Sequence, residues 1–214
     1  MDRNAQIPLA TIQRLPAYLR CLLQAQAQQM PLVNSNQIAE MCGGNAAQVR
    51  KDLSYIGELG TRGIGYDVGD LIGHISRVLG IVEGRRVAVV GYGRLGSALL
   101  GYSGLPERGF DIVAVFDNDA AKIGTSADGL IVLGTDRIGS ELRDRGVEIA
   151  IIATPAEAAQ EAANKVVAAG VKAILNLAPA VLNVAADVAV RQVSLSTDLQ
   201  ILSFYLAQVG KSDS

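Results

Sequence analysis

The chain has little of what builds a metal centre, a disulfide scaffold or a membrane span. Its 214 residues contain one histidine, His74, and two cysteines, Cys21 and Cys42, which lack C-x-x-C spacing and have no histidine cluster near them. That pattern excludes the common zinc and dithiol motifs, and leaves the cysteines as reduced, packed thiols of a cytoplasmic protein. No hydrophobic run approaches the roughly 18 uninterrupted apolar residues that a membrane helix needs. Asp2, Arg3 and Asn4 are not followed by the apolar core of a secretory leader. Neither sign of charge is in large excess, with 19 basic and 21 acidic residues and a net charge of −2, which does not by itself favour nucleic acid. The distribution is more informative. From residue 1 to 66, Arg3, Arg14, Arg20, Arg50, Lys51 and Arg62 outnumber Asp2, Glu40, Asp52 and Glu58 by two, leaving the rest of the chain at −4. A positive surplus on one module permits contact with phosphates without requiring it.

Apolar material is abundant. Half the residues are hydrophobic and the mean hydropathy is +0.28, enough for the cores of two small domains with a short tail. We place a first domain at 1–80, a second at 81–193 and a terminal segment at 194–214. The second domain opens on Val87-Ala88-Val89-Val90 running into Gly91-Tyr92-Gly93-Arg94-Leu95-Gly96. A bare G-x-G-x-x-G is a weak signal among 23 glycines, but this one follows a buried strand and opens a helix. Gly91 then serves the tight turn, Gly93 lets backbone touch a pyrophosphate, and Gly96 lets the helix pack on the strand. The helix start aims unpaired N–H groups at phosphates. A second apolar run, Asp111 to Phe116, ends in Asp117, 21 residues beyond Gly96. A carboxylate there accepts from a ribose 2′-hydroxyl and repels a 2′-phosphate, which favours NAD(H) over NADP(H).

The first domain reads as helical. Ile12, Leu15, Leu19, Leu22 and Leu23 recur at helical spacing, with Pro16 near the first turn or at a kink. Asn34 with Gln37 forms a capping-box pair ahead of a second helix that Gly43-Gly44 ends. Asn45 with Gln48 repeats that start signal and opens a third helix from Ala46 to about Ile56. Two short helices across a glycine turn are the shape of a helix-turn-helix. Val49, Leu53 and Ile56 face its core, leaving Gln48, Arg50, Lys51, Ser54 and Tyr55 outward, donor-rich side chains suited to base edges and phosphates. Glu58 to Tyr66 is short enough for a hairpin with Arg62 at its tip, which suits a minor groove.

Gln48-Val49-Arg50-Lys51-Asp52-Leu53-Ser54-Tyr55, Arg62-Gly63-Ile64-Gly65-Tyr66, the Gly91–Gly96 cradle and Ile174-Leu175-Asn176-Leu177-Ala178-Pro179 together resemble the Rex redox-sensing transcriptional repressors. The resemblance runs from about Ile7 to Gln208. It implies an α/β chain: an N-terminal winged helix-turn-helix domain, a Rossmann doubly wound parallel sheet, and a C-terminal helix swapped in a homodimer. It also implies that the dimer binds an inverted repeat in operator DNA through Gln48, Arg50 and Lys51 of the recognition helix and Arg62 of the wing. NADH and NAD+ would bind the Rossmann domain, with NADH releasing the DNA and NAD+ permitting binding. Half-sites about 34 to 36 Å apart make such a dimer sensitive to a modest rotation.

The second half of the cradle is consistent with this. Val147 to Ala153 is a near-continuous apolar strand, and Ala156 to Ala169 an Ala-rich helix closed by Gly170. A strand from Lys172 to Leu175 runs into Asn176 to Pro179. Thr154, Pro155, Asn176, Ala178 and Pro179 lie where ligands bind such sheets. Thr197 to Val209 carries Leu199, Leu202, Phe204, Leu206 and Val209 and needs a partner: another subunit, as the resemblance implies, or its own Rossmann domain. The family switch pairs an arginine, an aspartate and a tyrosine. Arg20 and Tyr102 match two of them, and Ser194 stands where the aspartate would be; either Asp198, one helical turn further on, substitutes for it, or the arginine contact there is weaker and the switch rests on other contacts. An NAD-dependent oxidoreductase is the alternative, but it wants a proton donor at the nicotinamide. His74 falls before the Rossmann domain, among Leu71, Ile72, Ile75, Val78 and Leu79. A CoA-binding domain is a third reading, disfavoured by Asp117, since a CoA 3′-phosphate would prefer cations.

Overall fold

The computed structural model of the chain describes residues 7–57, 59–61 and 63–212. They divide into two compact units, Met1–Glu83 and Gly84–Ser214.

The first unit contains α1 (Leu9–Ala27), β1 (Leu32–Val33), α2 (Ser35–Cys42), α3 (Ala46–Ile56), β2 (Tyr66–Asp67) and α4 (Val68–Leu79). In α1, Thr11, Leu15, Tyr18, Leu22 and Ala25 are buried, a 4-3 spacing that defines its inner face, whereas Ile12 and Leu23 fall on the exposed side. Pro16 lies inside this helix, on its exposed side. The Asn34 side chain accepts from the N–H groups of Asn36 and Gln37 while Gln37 answers to the Asn34 N–H, a complete capping box. Gly43 ends α2 in the left-handed conformation. Asn45 caps α3, but Gln48 does not close a second box. Its amide is drawn instead to Asp52, one turn along the same helix, at 3.0 Å. Val49 and Leu53 enter a core with Leu15, Leu22, Ile38, Leu71 and Ile75, and Ile56 is half-buried at its rim. β1 and β2 pair antiparallel, and Thr61 bridges Gly65 across the turn between α3 and β2, giving the wing of a winged helix. Arg62, expected at the hairpin tip, lies outside the described residues.

One polar residue sits among these apolar ones. Asp52 is fully buried and accepts five hydrogen bonds. Thr11 Oγ1 (2.8 Å), Arg14 Nη2 (2.7 Å) and Gln48 Nε2 (3.0 Å) donate to Oδ1, while Arg14 Nε (2.6 Å) and Tyr18 Oη (2.8 Å) donate to Oδ2. Burial pushes this carboxyl up, but the donors outweigh burial and hold it well below the usual carboxylate range. Burial, with the bond to Asp52, pushes Tyr18 up to about 12.

The second unit is a seven-stranded sheet in the order β5-β6-β4-β3-β7-β8-β9, from β3 (Arg85–Val90), β4 (Phe110–Asp117), β5 (Ser126–Ala127), β6 (Leu130–Gly134), β7 (Ile149–Ile152), β8 (Ala173–Asn176) and β9 (Ala189–Gln192). All pairs are parallel except β5 with β6. Its helices are α5 (Arg94–Leu100), α6 (Ile138–Asp144), α7 (Ala156–Ala168) and α8 (Leu195–Ser212). On one sheet face Ala88, Val90, Ala150, Ile152 and Ile174 pack with α6 and α7. The other face, carrying Val87, Ile149, Ile151, Ala173 and Leu175, is partly bare where no helix intervenes between β8 and β9. With Leu105 and Phe110 it forms an apolar groove of about 380 Å³. α8 begins at Leu195 rather than Thr197, because the Ser194 hydroxyl accepts from the Thr197 N–H at 3.3 Å as a helix cap. Its Leu199, Leu202, Phe204 and Leu206 are each more than half exposed, so α8 does not bury its apolar residues on its own Rossmann sheet.

Tyr18 supplies a measurable pH signature. A phenol raised in the folded state stabilises it fully below the ordinary tyrosine pKa of about 10 and loses that contribution as pH rises toward about 12. The melting-temperature gap between the parent chain and Tyr18→Phe is therefore expected to be constant at neutral pH and to close between those limits, as read by circular dichroism.

Candidate functional site

The winding of the large sheet decides where a ligand can sit. From β3 the chain steps outward through β4 to β6, then returns to the other side of β3 for β7, β8 and β9. The connections diverge at the β3–β7 pair and leave a crevice beyond the carboxyl ends of those strands. A cleft of about 430 Å³ opens at that point, and Gly91, Gly93, Asp117, Thr154 and Pro155 are in its wall.

Two glycines there have no substitute. Gly91 has a φ of +104°, and a Cβ on it would stand 2.6 Å from the Ala153 carbonyl oxygen. Gly96 is buried on α5, where a Cβ would overlap the Gly91 carbonyl oxygen. Gly93 differs, since nothing lies within 4 Å of where its Cβ would be. It precedes α5, and no side chain among the described residues caps the first amides of that helix, which leaves donors for an anion.

Asp117 closes β4 and is 6% exposed. Its Oδ2 accepts from the Tyr92 N–H at 2.7 Å and from Lys122 Nζ at 3.2 Å, and its Oδ1 from the Asp119 N–H at 2.8 Å. Burial raises this carboxyl, and the two amides and Lys122 more than offset it, so Asp117 titrates below its ordinary range and is ionised at neutral pH. Lys122 escapes a reading of the sequence. Its one local signal is the turn Asp117-Asn118-Asp119-Ala120-Ala121-Lys122, in which Asp119 accepts from the Ala121 N–H at 3.0 Å. Thr154 Oγ1 is buried without a hydrogen-bond partner among the described residues. Such a group costs about 1–3 kcal/mol until something pairs with it. Open amides, an ionised carboxylate and an orphan hydroxyl around one crevice fit a dinucleotide.

Other candidates lie outside that wall. Arg94 and Leu95 are exposed at the start of α5, and Tyr92 packs against the sheet. Asn176 is fully buried: its amide donates to the Ala180 carbonyl (2.7 Å) and to Gln192 Oε1 (2.6 Å), while its Oδ1 accepts from the Ala178 N–H (3.0 Å). Its role in the structure is to shape the turn through buried Ala178 and exposed Pro179. On α3, Lys51 and Ser54 are exposed, but Arg50 Nη1 donates to Ser35 Oγ at 2.8 Å and Gln48 is tied to Asp52. Arg20 is exposed on α1 in the first unit; Tyr102, exposed just beyond α5, and Ser194 belong to the second. His74 lies on α4, its Nδ1 at 2.8 Å from the Asp70 carbonyl oxygen. Among the described residues no three His, Cys, Asp or Glu side chains are grouped to hold a metal, and no helix is long and apolar enough to cross a membrane.

Known proteins carry the same pairing of parts. The family model "Putative DNA-binding protein N-terminus" matches residues 6–54, and the model "CoA binding domain" matches 82–180. The redox-sensing transcriptional repressor Rex of Streptomyces griseus subsp. griseus is 47% identical over 212 residues, which cover 99% of this chain and 84% of that protein. The chain belongs to the Rex family. The Rex of Desulfitobacterium hafniense is likewise 47% identical, over 94% of this chain and 96% of its own. Among solved structures, the repressor RSP in complex with β-NAD+ and operator DNA superposes with a TM-score of 0.91 at 29% identity, covering 98% of this chain and 97% of that one. RSP in complex with β-NADH gives 0.86 at 28%, covering 99% and 100%. These matches span both units, so the α/β architecture of winged helix and Rossmann sheet is that of Rex repressors.

The glycines of the Rex-family cradle make opposite predictions. Gly96→Ala is expected to force α5 off the strand and destabilise the chain by about 1–3 kcal/mol, the usual cost of overpacking. Gly93→Ala should leave stability within about 0.5 kcal/mol. Urea unfolding of the two variants beside the parent chain measures both.

Proposed function

We propose that this Rex-family chain is a redox-sensing transcriptional repressor that binds an inverted repeat in operator DNA as a homodimer, is released by NADH and is permitted to bind by NAD+. The observation that carries the proposal is one chain holding a winged-helix unit and a dinucleotide cleft, at high structural similarity to a repressor solved with both NAD+ and operator DNA. It is a regulator rather than an enzyme.

Each unit has an assigned task. On α3, Gln48, Arg50, Lys51 and Ser54 contact the major groove, and Arg62 on the wing contacts the minor groove. In the second unit the backbone of Gly91, Tyr92, Gly93, Arg94, Leu95 and Gly96 holds the pyrophosphate. Asp117 accepts from the adenosine ribose, kept ionised and fixed in place by Tyr92, Asp119 and Lys122. Thr154, Pro155, Asn176, Ala178 and Pro179 bound the nicotinamide end, with the Thr154 hydroxyl finding its partner in the ligand and Asn176 setting the shape of its turn. The nicotinamide supplies the signal, since its ring is cationic when oxidised and neutral when reduced. A CoA ligand, named by the matching family model, fits less well: Lys122 is already paired with Asp117 and Asp119, and Lys165 with Glu161, a poor setting for a 3′-phosphate.

Dimerisation follows from uncovered apolar surface. α8 and the rim of the sheet groove, with half-buried Leu105 and Phe110 and exposed Val190, are more apolar surface than a lone subunit exposes without consequence. A partner subunit covers them, with α8 exchanged between protomers. Arg20, Tyr102 and Ser194 take part in the NADH switch. Because Ser194 is a neutral helix cap and not a carboxylate, its hold on an arginine is weaker than a charge-assisted pair, and the NADH-bound state rests more on other contacts. The protein works in the cytoplasm, where its DNA and dinucleotides are found.

Fluorescence anisotropy on an inverted-repeat duplex tests the reading. NADH is expected to release the duplex at concentrations where NAD+ leaves it bound; equal binding with and without saturating NADH would sink it. In the same assay Arg50→Ala or Lys51→Ala should weaken duplex binding about tenfold or more with NADH affinity unchanged. Asp117→Ala should lower NADH affinity and leave nucleotide-free duplex binding intact.

A further inference from the structure

Asp52 holds a buried place that apolar side chains could also fill. A buried charge held by several donors is often no more stabilising than well-packed apolar side chains of the same volume. What directional bonds do, and apolar contacts do not, is fix rotation and register. Thr11, Arg14 and Tyr18 stand at i, i+3 and i+7, one face of α1, and all three converge on this single carboxylate of α3. The same carboxylate takes one N–H of the Gln48 amide.

That last bond has a consequence for reading bases. A carboxylate accepts and never donates, so the nitrogen end of the Gln48 amide must face Asp52 and its oxygen end must face away. Without Asp52 an amide on a half-exposed helix position can present either end. With it, Oε1 and the second N–H of Gln48 are offered outward in one fixed order. Adenine is the base whose major-groove edge matches an amide in that order, with its N6 amino group as donor and its N7 as acceptor.

We propose that Asp52, held by Arg14, Tyr18 and Thr11, is a positioning residue for DNA recognition: it orders the Gln48 amide so that α3 reads an adenine at one position of each half-site. The inference rests on the reading of α3 as the recognition helix. Arg50 is held in a comparable way by the Ser35 hydroxyl of α2, so two side chains of the reading face are set by neighbours within the domain.

The test uses full-length protein and a duplex that it selects from random-sequence DNA, followed by anisotropy on every single-base substitution of that duplex. Gln48→Ala is expected to flatten the preference for adenine at one position per half-site by about 5- to 100-fold. The pair Tyr18→Phe with Thr11→Val removes two of the five donors while nearly preserving shape. It should reduce discrimination at that same position several-fold, with the affinity for unrelated duplex and its salt dependence unchanged. Asp52→Asn should do so more strongly, and the double variant keeps the test decisive if that protein does not fold. A merely structural role would lower the melting temperature and leave the preference profile as it is in the parent chain, which overturns the proposal. A Gln48→Ala profile identical to the parent overturns it as well, whereas a parent chain that selects no duplex overturns the reading of α3 on which it rests.

Discussion

The close approach of two backbones where the sheet changes direction constrains the whole second unit. α5 can leave β3 only if Gly96 slides under the Gly91 carbonyl, and β3 can lie beside β7 only if Gly91 carries no side chain against Ala153. Those contacts keep amides bare at the mouth of a crevice that the topology has already opened. Asp117 is then fixed from the same turn, through the Tyr92 N–H. A ligand that fills the crevice therefore touches the strand ends, the glycine turn and Asp117 together, and any movement it causes begins from backbone with little slack.

The winged-helix unit is organised by the opposite kind of interaction. Its core is ordinary apolar packing, but α3 meets α1 through a buried, ionised carboxylate with five donors. Apolar packing tolerates small slippage, whereas a multiply bonded carboxylate has one geometry. The outer face of α3 is accordingly less free than its exposure implies. Gln48 and Arg50 carry internal partners, and Lys51 remains exposed.

Much of this was legible in the sequence because it is written in short-range chemistry. Asn34 with Gln37, Gly43, Asn45 and the 4-3 apolar spacing announce the helices; Val87 to Gly96 with Asp117 announces the cleft. What stayed hidden depends on residues far apart in the chain. The pairing of Gln48 with Asp52 in place of a second capping box follows from α1 arriving with Arg14 and Tyr18, 38 and 34 residues away. Lys122 enters the cleft wall because of how the turn after β4 folds, and the Asn176 amide is spent within the chain on Gln192 and Ala180. Ser194, noted in the sequence only for the aspartate it would replace, has a structural role there: its hydroxyl caps the start of α8.

The sequence by itself determined the two-part architecture, the dinucleotide turn and membership of the Rex family, because periodicity, glycine placement and motif order survive without coordinates. Only the tertiary structure decided which polar side chains are already engaged: Asp52 with its donors, Asp117 between Tyr92, Asp119 and Lys122, and Thr154 left without a partner among the described residues. Hydrogen bonds act over about 3 Å, and which groups come that close is settled by packing across elements that no local pattern encodes.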